Sequence, residues 1–242
     1  MKKKKNAFTL AEVLITLTII GVVSSLTIPA LMSNASASKN KASLKKALSV
    51  LNQAVKMNYA NYGWDFADLE STGYDSYHQM STHRPNEYTS VTALFNEALS
   101  GATVLQYDIK SGTSTDTHYA YSNLINGYGL DYVGYKTADN MIFAFNTAAA
   151  SCTKSDYDHY EGNNSFLQGL YDAGCVGFID VNGSAPPNRQ ITCGDTGGIY
   201  YGDYSEYCKI DKSDAKKDIF PFVFYDQTVE LGPQAARLFI SR

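Results

Sequence analysis

Residues 1–32 constrain this chain more than any other stretch. Lys2, Lys3, Lys4 and Lys5 make a positively charged stub, and Val13 to Met32 contains no charged residue. At ~1.5 Å per residue such a run crosses the ~30 Å of hydrocarbon in a bilayer. The basic stub is expected to stay on the cytoplasmic side. Residues 13–32 therefore read as a single transmembrane span with its N-terminus inside, and the rest of the chain has to fold as a domain attached to it.

Glu12 is the anomaly at the start of that span. A carboxylate costs ~2.5–3.5 kcal/mol deep in a membrane, so an acid there is a functional hypothesis by default. A local reading stands beside it: Thr9-x-x-Glu12 has the capping-box spacing, and an acid in the first turn complements the helix dipole. Pro29 is the second irregularity, because it removes one backbone hydrogen bond and crowds the carbonyl of Ser25. The hydroxyls of Ser24, Ser25 and Thr27 are candidates to satisfy the freed groups. We expect a kinked, continuing helix, against the alternative of a helix that ends at Ile28.

The segment Ala7-Phe8-Thr9-Leu10-Ala11-Glu12-Val13-Leu14-Ile15, with Gly21 and Pro29, resembles the class III signal and N-terminal helix of type IV pilins and type II secretion pseudopilins. The resemblance covers about residues 2–60 and departs from the family at Ala7, where a glycine is usual. Alanine is nearest in size, so slower cleavage is expected. The resemblance implies that prepilin peptidase cuts between Ala7 and Phe8 and methylates the new Phe8 amine, and that Glu12 then reads the amine of a neighbouring subunit. Two charges that are each costly in lipid neutralise one another only in a fixed stagger, so the pair would select register as well as add attraction.

With the leader at 1–7 that the resemblance implies and Gly63 as a helix stop, the chain divides into a leader at 1–7, a helix at 8–62 and a single head domain at 63–242. The resemblance implies homologous pilin subunits, the prepilin peptidase and an inner-membrane assembly platform as partners. It also implies a single-pass precursor in the bacterial inner membrane, moved afterwards into a pilus or pseudopilus outside the cytoplasm. Two alternatives accompany it. Ala35-Ser36-Ala37 has the form of an ordinary signal-peptidase site, which would release a free secreted domain from Ser38. The chain would otherwise serve as a minor tip pilin acting as an adhesin.

The charge balance is 20 basic against 24 acidic residues, net −4, and near −8 once Met1 to Ala7 is removed. No nucleic-acid partner is expected, since phosphate contacts need clustered Lys and Arg. Leu44, Leu48, Leu51, Val55, Tyr59 and Tyr62 predict one apolar stripe on a helix from about Ala42 to Tyr62, stopped by Gly63. Trp64 to Pro85 reads as an aperiodic loop, with His78 and His83 as exposed polar residues. Thr89 or Ser90 caps a short amphipathic helix over Val91–Leu99.

Strand-like runs follow at Thr103–Ile109, Met141–Phe145, Val176–Val181 and Phe220–Tyr225. The fold class is α+β, type IV pilin-like: a long N-terminal helix packed on an antiparallel sheet of about four strands with long loops. Nineteen tyrosines, most in those loops, suit either a contact surface or decoration of a sheet edge. Cys152, Cys175, Cys193 and Cys208 form no C-x-x-C and favour disulfides; three connectivities are open, and Cys152 with Cys175 and Cys193 with Cys208 is the preferred one, having short loops.

Asp180-Val181-Asn182-Gly183 and Asp218 offer oxygen ligands that suit a structural calcium, with Asp180, Asn182 and Asp218 as the ligand set. The competing reading is an Asx turn that ends a strand. The Asp180–Gly183 run, with Pro187-Asn188 and Asp218-Ile219-Phe220-Pro221-Phe222, also looks like the C-terminal part of many pilin-like proteins. No G-x-S-x-G, H-E-x-x-H or Walker loop occurs, and His118 and His159 have no identifiable partner, so no enzymatic activity is expected.

Overall fold

Thr9 and Gly63 bound the first element. The computed structural model describes residues 9–70, 82–107, 132–154, 174–183, 185, 191, 217–232 and 234–241. Helix α1 runs unbroken from Leu10 to Tyr62, 53 residues, or ~80 Å at the α-helical rise. Gly63 closes it at φ 78°, where its N–H bonds the Tyr59 carbonyl; that left-handed conformation strains any residue with a Cβ. The helix continues through Pro29, so Ile28 is not its end.

The two halves of α1 meet different surroundings. The large apolar side chains from Leu10 to Leu31 are exposed, whereas Leu44, Ala47, Leu51, Ala54 and Val55 are buried against the head. The buried stripe departs from the one the spacing predicts. Tyr59 and Tyr62 are 47% and 38% exposed, and Asn58 takes the core position instead. At ~100° per residue, Tyr59 is turned away from a face that runs through Ala47, Leu51, Ala54 and Asn58.

The stretch expected as a plain loop contains a 3-10 turn, Phe66–Asp68, capped by Asp65, with Phe66 and Leu69 buried. Helix α2, Val91–Ala98, is capped by Ser90, whose hydroxyl accepts from the Ala93 amide at 3.2 Å.

Among the described residues six strands form one antiparallel meander, not four: β1 Thr103–Tyr107, β2 Tyr132–Lys136, β3 Ile142–Asn146, β4 Val176–Asp180, β5 Ile219–Tyr225 and β6 Thr228–Leu231. Helix α3, Gln234–Ser241, closes the described chain. The two unexpected strands add one pairing at each side of the expected core: β2 between β1 and β3, and β6 beyond β5.

The register puts Tyr135, Phe143, Ile179 and Phe220 on one face, followed by Phe145 and Phe222. The helices cover that face. Phe95 of α2 stacks on Phe145 at 3.9 Å, Phe66 meets Phe224 at 4.7 Å and Phe239 of α3 meets Phe220 at 4.9 Å. Strands β3, β4 and β5 are buried on both faces, which is why they read as continuous apolar runs.

Pro221 lies within interior strand β5, where a residue without an N–H is unusual. Phe224 donates to the Cys175 carbonyl beside β4, so odd-numbered residues of β5 face β6. The missing donor at Pro221 therefore points to Gly232, just past the end of β6, and the ladder stops there with the one bond Gly232 N to Pro221 O at 3.4 Å.

Candidate processing and assembly site

The start of α1 carries the acid that the sequence singles out. Glu12 Oε2 accepts from the Thr9 amide at 2.8 Å and from the Thr9 hydroxyl at 2.9 Å, while the Glu12 amide donates to Thr9 Oγ1 at 3.3 Å. The capping box is thus formed. Both Thr9 donors fall on one carboxylate oxygen, at the end of a surface that is otherwise apolar.

Leu10–Pro29, 20 residues, is long and apolar enough to cross a membrane, and no part of it is buried within the chain. Four hydroxyls along it bond to their own helix: Thr16 to the Val13 carbonyl, Thr18 to Leu14, Ser25 to Val22 and Thr27 to Val23, at 2.8–2.9 Å. Ser25 and Thr27 therefore serve carbonyls upstream of the one that Pro29 frees. Ala7 and Phe8 lie outside the described residues.

Four side chains of α1 tie it to the head at successive heights. Asn40 Nδ2 donates to the Lys217 carbonyl at 3.1 Å, and Lys46 Nζ pairs with Asp139 Oδ2 at 2.6 Å in the β2–β3 turn. Asn52 pairs with Val229 of β6, and Asn58 Nδ2 donates to the Trp64 carbonyl at 2.8 Å. The apolar period gave no sign of these contacts, because they are made by polar residues.

The three candidate calcium ligands lie where β4 ends and β5 begins. Asp180 Oδ1 accepts from the amides of Asn182 at 3.0 Å and Gly183 at 2.9 Å, and the Asn182 carbonyl accepts from Asn140 Nδ2 at 2.7 Å. Asp218 is buried beside them, its carbonyl accepting from the Val181 amide at 3.0 Å. The geometry is that of an Asx turn closing β4, and among the described residues no group of three or more His, Cys, Asp or Glu side chains is arranged to hold a metal.

Cys152 and Cys175 form a disulfide with Cα atoms 5.7 Å apart. Cys193, Cys208, His78, His118 and His159 lie outside the described residues. His83 is buried, contrary to the expectation of an exposed polar residue: its ring stacks on Tyr88 at 4.0 Å and Nδ1 lies 3.1 Å from Thr92 Oγ1. Its burial comes from packing against α2, which an aperiodic segment does not announce.

The prokaryotic N-terminal methylation motif matches residues 2–28 in a comparison with protein-family models. The chain carries that motif. The N-terminal methylation motif is the signal of type IV pilins and pseudopilins, and it supports a pilin-like or pseudopilin-like precursor with an N-terminal membrane anchor. It spans the basic stub, Ala7, Phe8 and Glu12 and ends just before Pro29, so it speaks for the first half of α1 and not for the head. Comparisons with curated proteins and with solved structures yield no match.

Proposed function

We propose that this chain is a structural subunit of a type IV pilus or a type II secretion pseudopilus. In this reading prepilin peptidase cuts between Ala7 and Phe8, the Phe8 amine is methylated, and the helix packs into the filament. The precursor spans the inner membrane once; the assembled subunit stands outside the cytoplasm. Its partners are homologous pilin subunits, the peptidase and the inner-membrane assembly platform. The observation that carries the reading is α1 itself: a single 53-residue helix, with an exposed apolar half bearing the motif and Glu12, and a second half with one face buried against the head.

Glu12 has a defined part. Thr9 engages only Oε2, so a neighbour's Phe8 amine would bind at Oε1 without breaking the cap. The cap aims the carboxylate, and the incoming amine neutralises it.

The test is the mass of the N-terminal peptide from membrane and sheared surface fractions. An N-methylated Phe8 is expected. A start at Ser38 would replace this reading with a free secreted domain. Glu12→Ala should insert in the membrane normally and fail to assemble; normal filament yield from that variant would remove Glu12 from the mechanism.

A further inference from the structure

We propose that Lys39, Lys41 and Lys45 form a basic collar that seats the base of the head on an anionic phospholipid surface. The inference rests on Leu10–Pro29 being a membrane span and is independent of filament assembly.

From Val13 to Trp64 the chain contains five lysines and no acid, whereas residues 63–242 carry 11 Lys and Arg against 23 Asp and Glu. The acidic head is therefore joined to its span through a strictly basic segment. A head of that charge is repelled by anionic lipid, and the only charges between the two are cationic.

One of these lysines is engaged by the head: Lys46 forms a solvent-exposed pair with Asp139. Lys39 and Lys45 are exposed and Lys41 half-buried, and among the described residues none of the three is in an ion pair. Asn40, between the first two, is buried against the Lys217 carbonyl, so the base of the head is fixed at the height of the collar.

Height and direction both fit a membrane plane. At ~1.5 Å per residue, Lys39 and Lys41 stand ~15 and ~18 Å beyond Pro29, the end of the span. A headgroup layer of ~5–7 Å lies in between, and a lysine stem together with a screening length of ~8 Å covers the remainder. Lys45, a further ~6 Å out, contributes less. At ~100° per residue, Lys39 and Lys41 project on nearly opposite sides of the helix. A plane pierced by the helix meets both, whereas one neighbouring chain would meet only one.

The experiment uses the full chain in nanodiscs of phosphatidylcholine alone or mixed with phosphatidylglycerol, treated with an uncharged amine-acylating reagent and read lysine by lysine by mass spectrometry. Lys39 and Lys41 should acylate about fivefold more slowly in the anionic discs, the ratio that ~1 kcal/mol per lysine near such a surface gives. Lys56 should be unchanged, and high salt should erase the difference. Equal rates in both lipids overturn the proposal. So does carbodiimide coupling of Lys39 or Lys41 to a carboxylate of a second copy at the same yield in both lipids, which assigns the collar to a neighbouring subunit. Retention of the chain in the discs through an alkaline wash tests the span separately, so a failed span and a failed collar give different results.

Discussion

Asn52 on α1 binds both backbone groups of Val229 on β6. Its Nδ2 donates to the Val229 carbonyl at 2.8 Å and its Oδ1 accepts from the Val229 amide at 3.0 Å. Among the described residues β6 is the last strand of the sheet, so there these two groups would otherwise have no strand partner. The carboxamide takes the place of a neighbouring strand, closing the edge and fixing the height of the helix against the sheet. Asn52→Ala should cost about 1–3 kcal/mol in denaturant unfolding, the range for leaving buried backbone groups unpaired. A variant as stable as the parent would show that water replaces the side chain without loss.

Gly177 sits in β4 under the ring of Phe222. A Cβ there would collide with the Ala144 carbonyl and the Phe222 ring at once, and neither the β3 backbone nor a ring buried in the core has room to retreat. Gly177→Ala is expected to destabilise the head by about 1–3 kcal/mol, as overpacking does. Shortening the opposing side chain should relieve part of this. In a double-mutant cycle, Gly177→Ala should cost less in a Phe222→Leu background than in the parent; equal costs would place the strain elsewhere.

Asp139 gives the head a small pH dependence at its base. The Lys46 ammonium, followed by the Thr137 hydroxyl, holds its carboxyl below the ordinary value of 3.8. A carboxyl lowered in the folded state adds stability that is fully present above the unfolded value and disappears as pH falls through the folded one. The pair is solvent-exposed, so the effect is at most ~1 kcal/mol. Asp139→Asn should lower the thermal midpoint slightly at pH 7, and the difference from the parent should shrink as pH falls through the folded value. A difference that persists in acid would mean that the hydrogen bonds, not the charge, carry it.

How much of this was legible depended on whether a residue's role follows a period. Thr9, Glu12 and Gly63 stood out because caps and a charge in an apolar run are local signals, and β3, β4 and β5 because burial on both faces makes an unbroken apolar run. Strand β2 was hidden by Gly134 at its centre, and β6 by having only four residues, Thr228–Leu231, ahead of Gly232 and Pro233. Neither offers enough alternation to separate a strand from a loop. Asn52 and His83 were beyond reach for another reason: a polar residue that is buried by a partner distant in sequence looks the same as one in water.

The Cys152–Cys175 disulfide joins the exit of β3 to the entry of β4, at the end of the head away from the helix's membrane half. Cys152 is held on both sides, its amide donating to the Phe66 carbonyl at 2.9 Å and its carbonyl accepting from the Asp226 amide at 2.8 Å, while the Cys175 carbonyl accepts from the Phe224 amide at 3.1 Å. The bridge therefore fastens two chain segments that are already hydrogen-bonded to the turn after α1 and to β5. Its contribution is expected chiefly through the unfolded chain: a closed loop of 23 residues corresponds to about 3 kcal/mol. Cys152→Ala with Cys175→Ala should lower the denaturant midpoint accordingly while leaving the hydrogen bonds around Phe66 and Phe224 intact, visible as amide-exchange protection at those positions that falls by no more than the global stability does. A larger loss of protection there would show that the bridge holds the native geometry itself, and an unchanged midpoint would show that the packing around Cys152 already confines the loop.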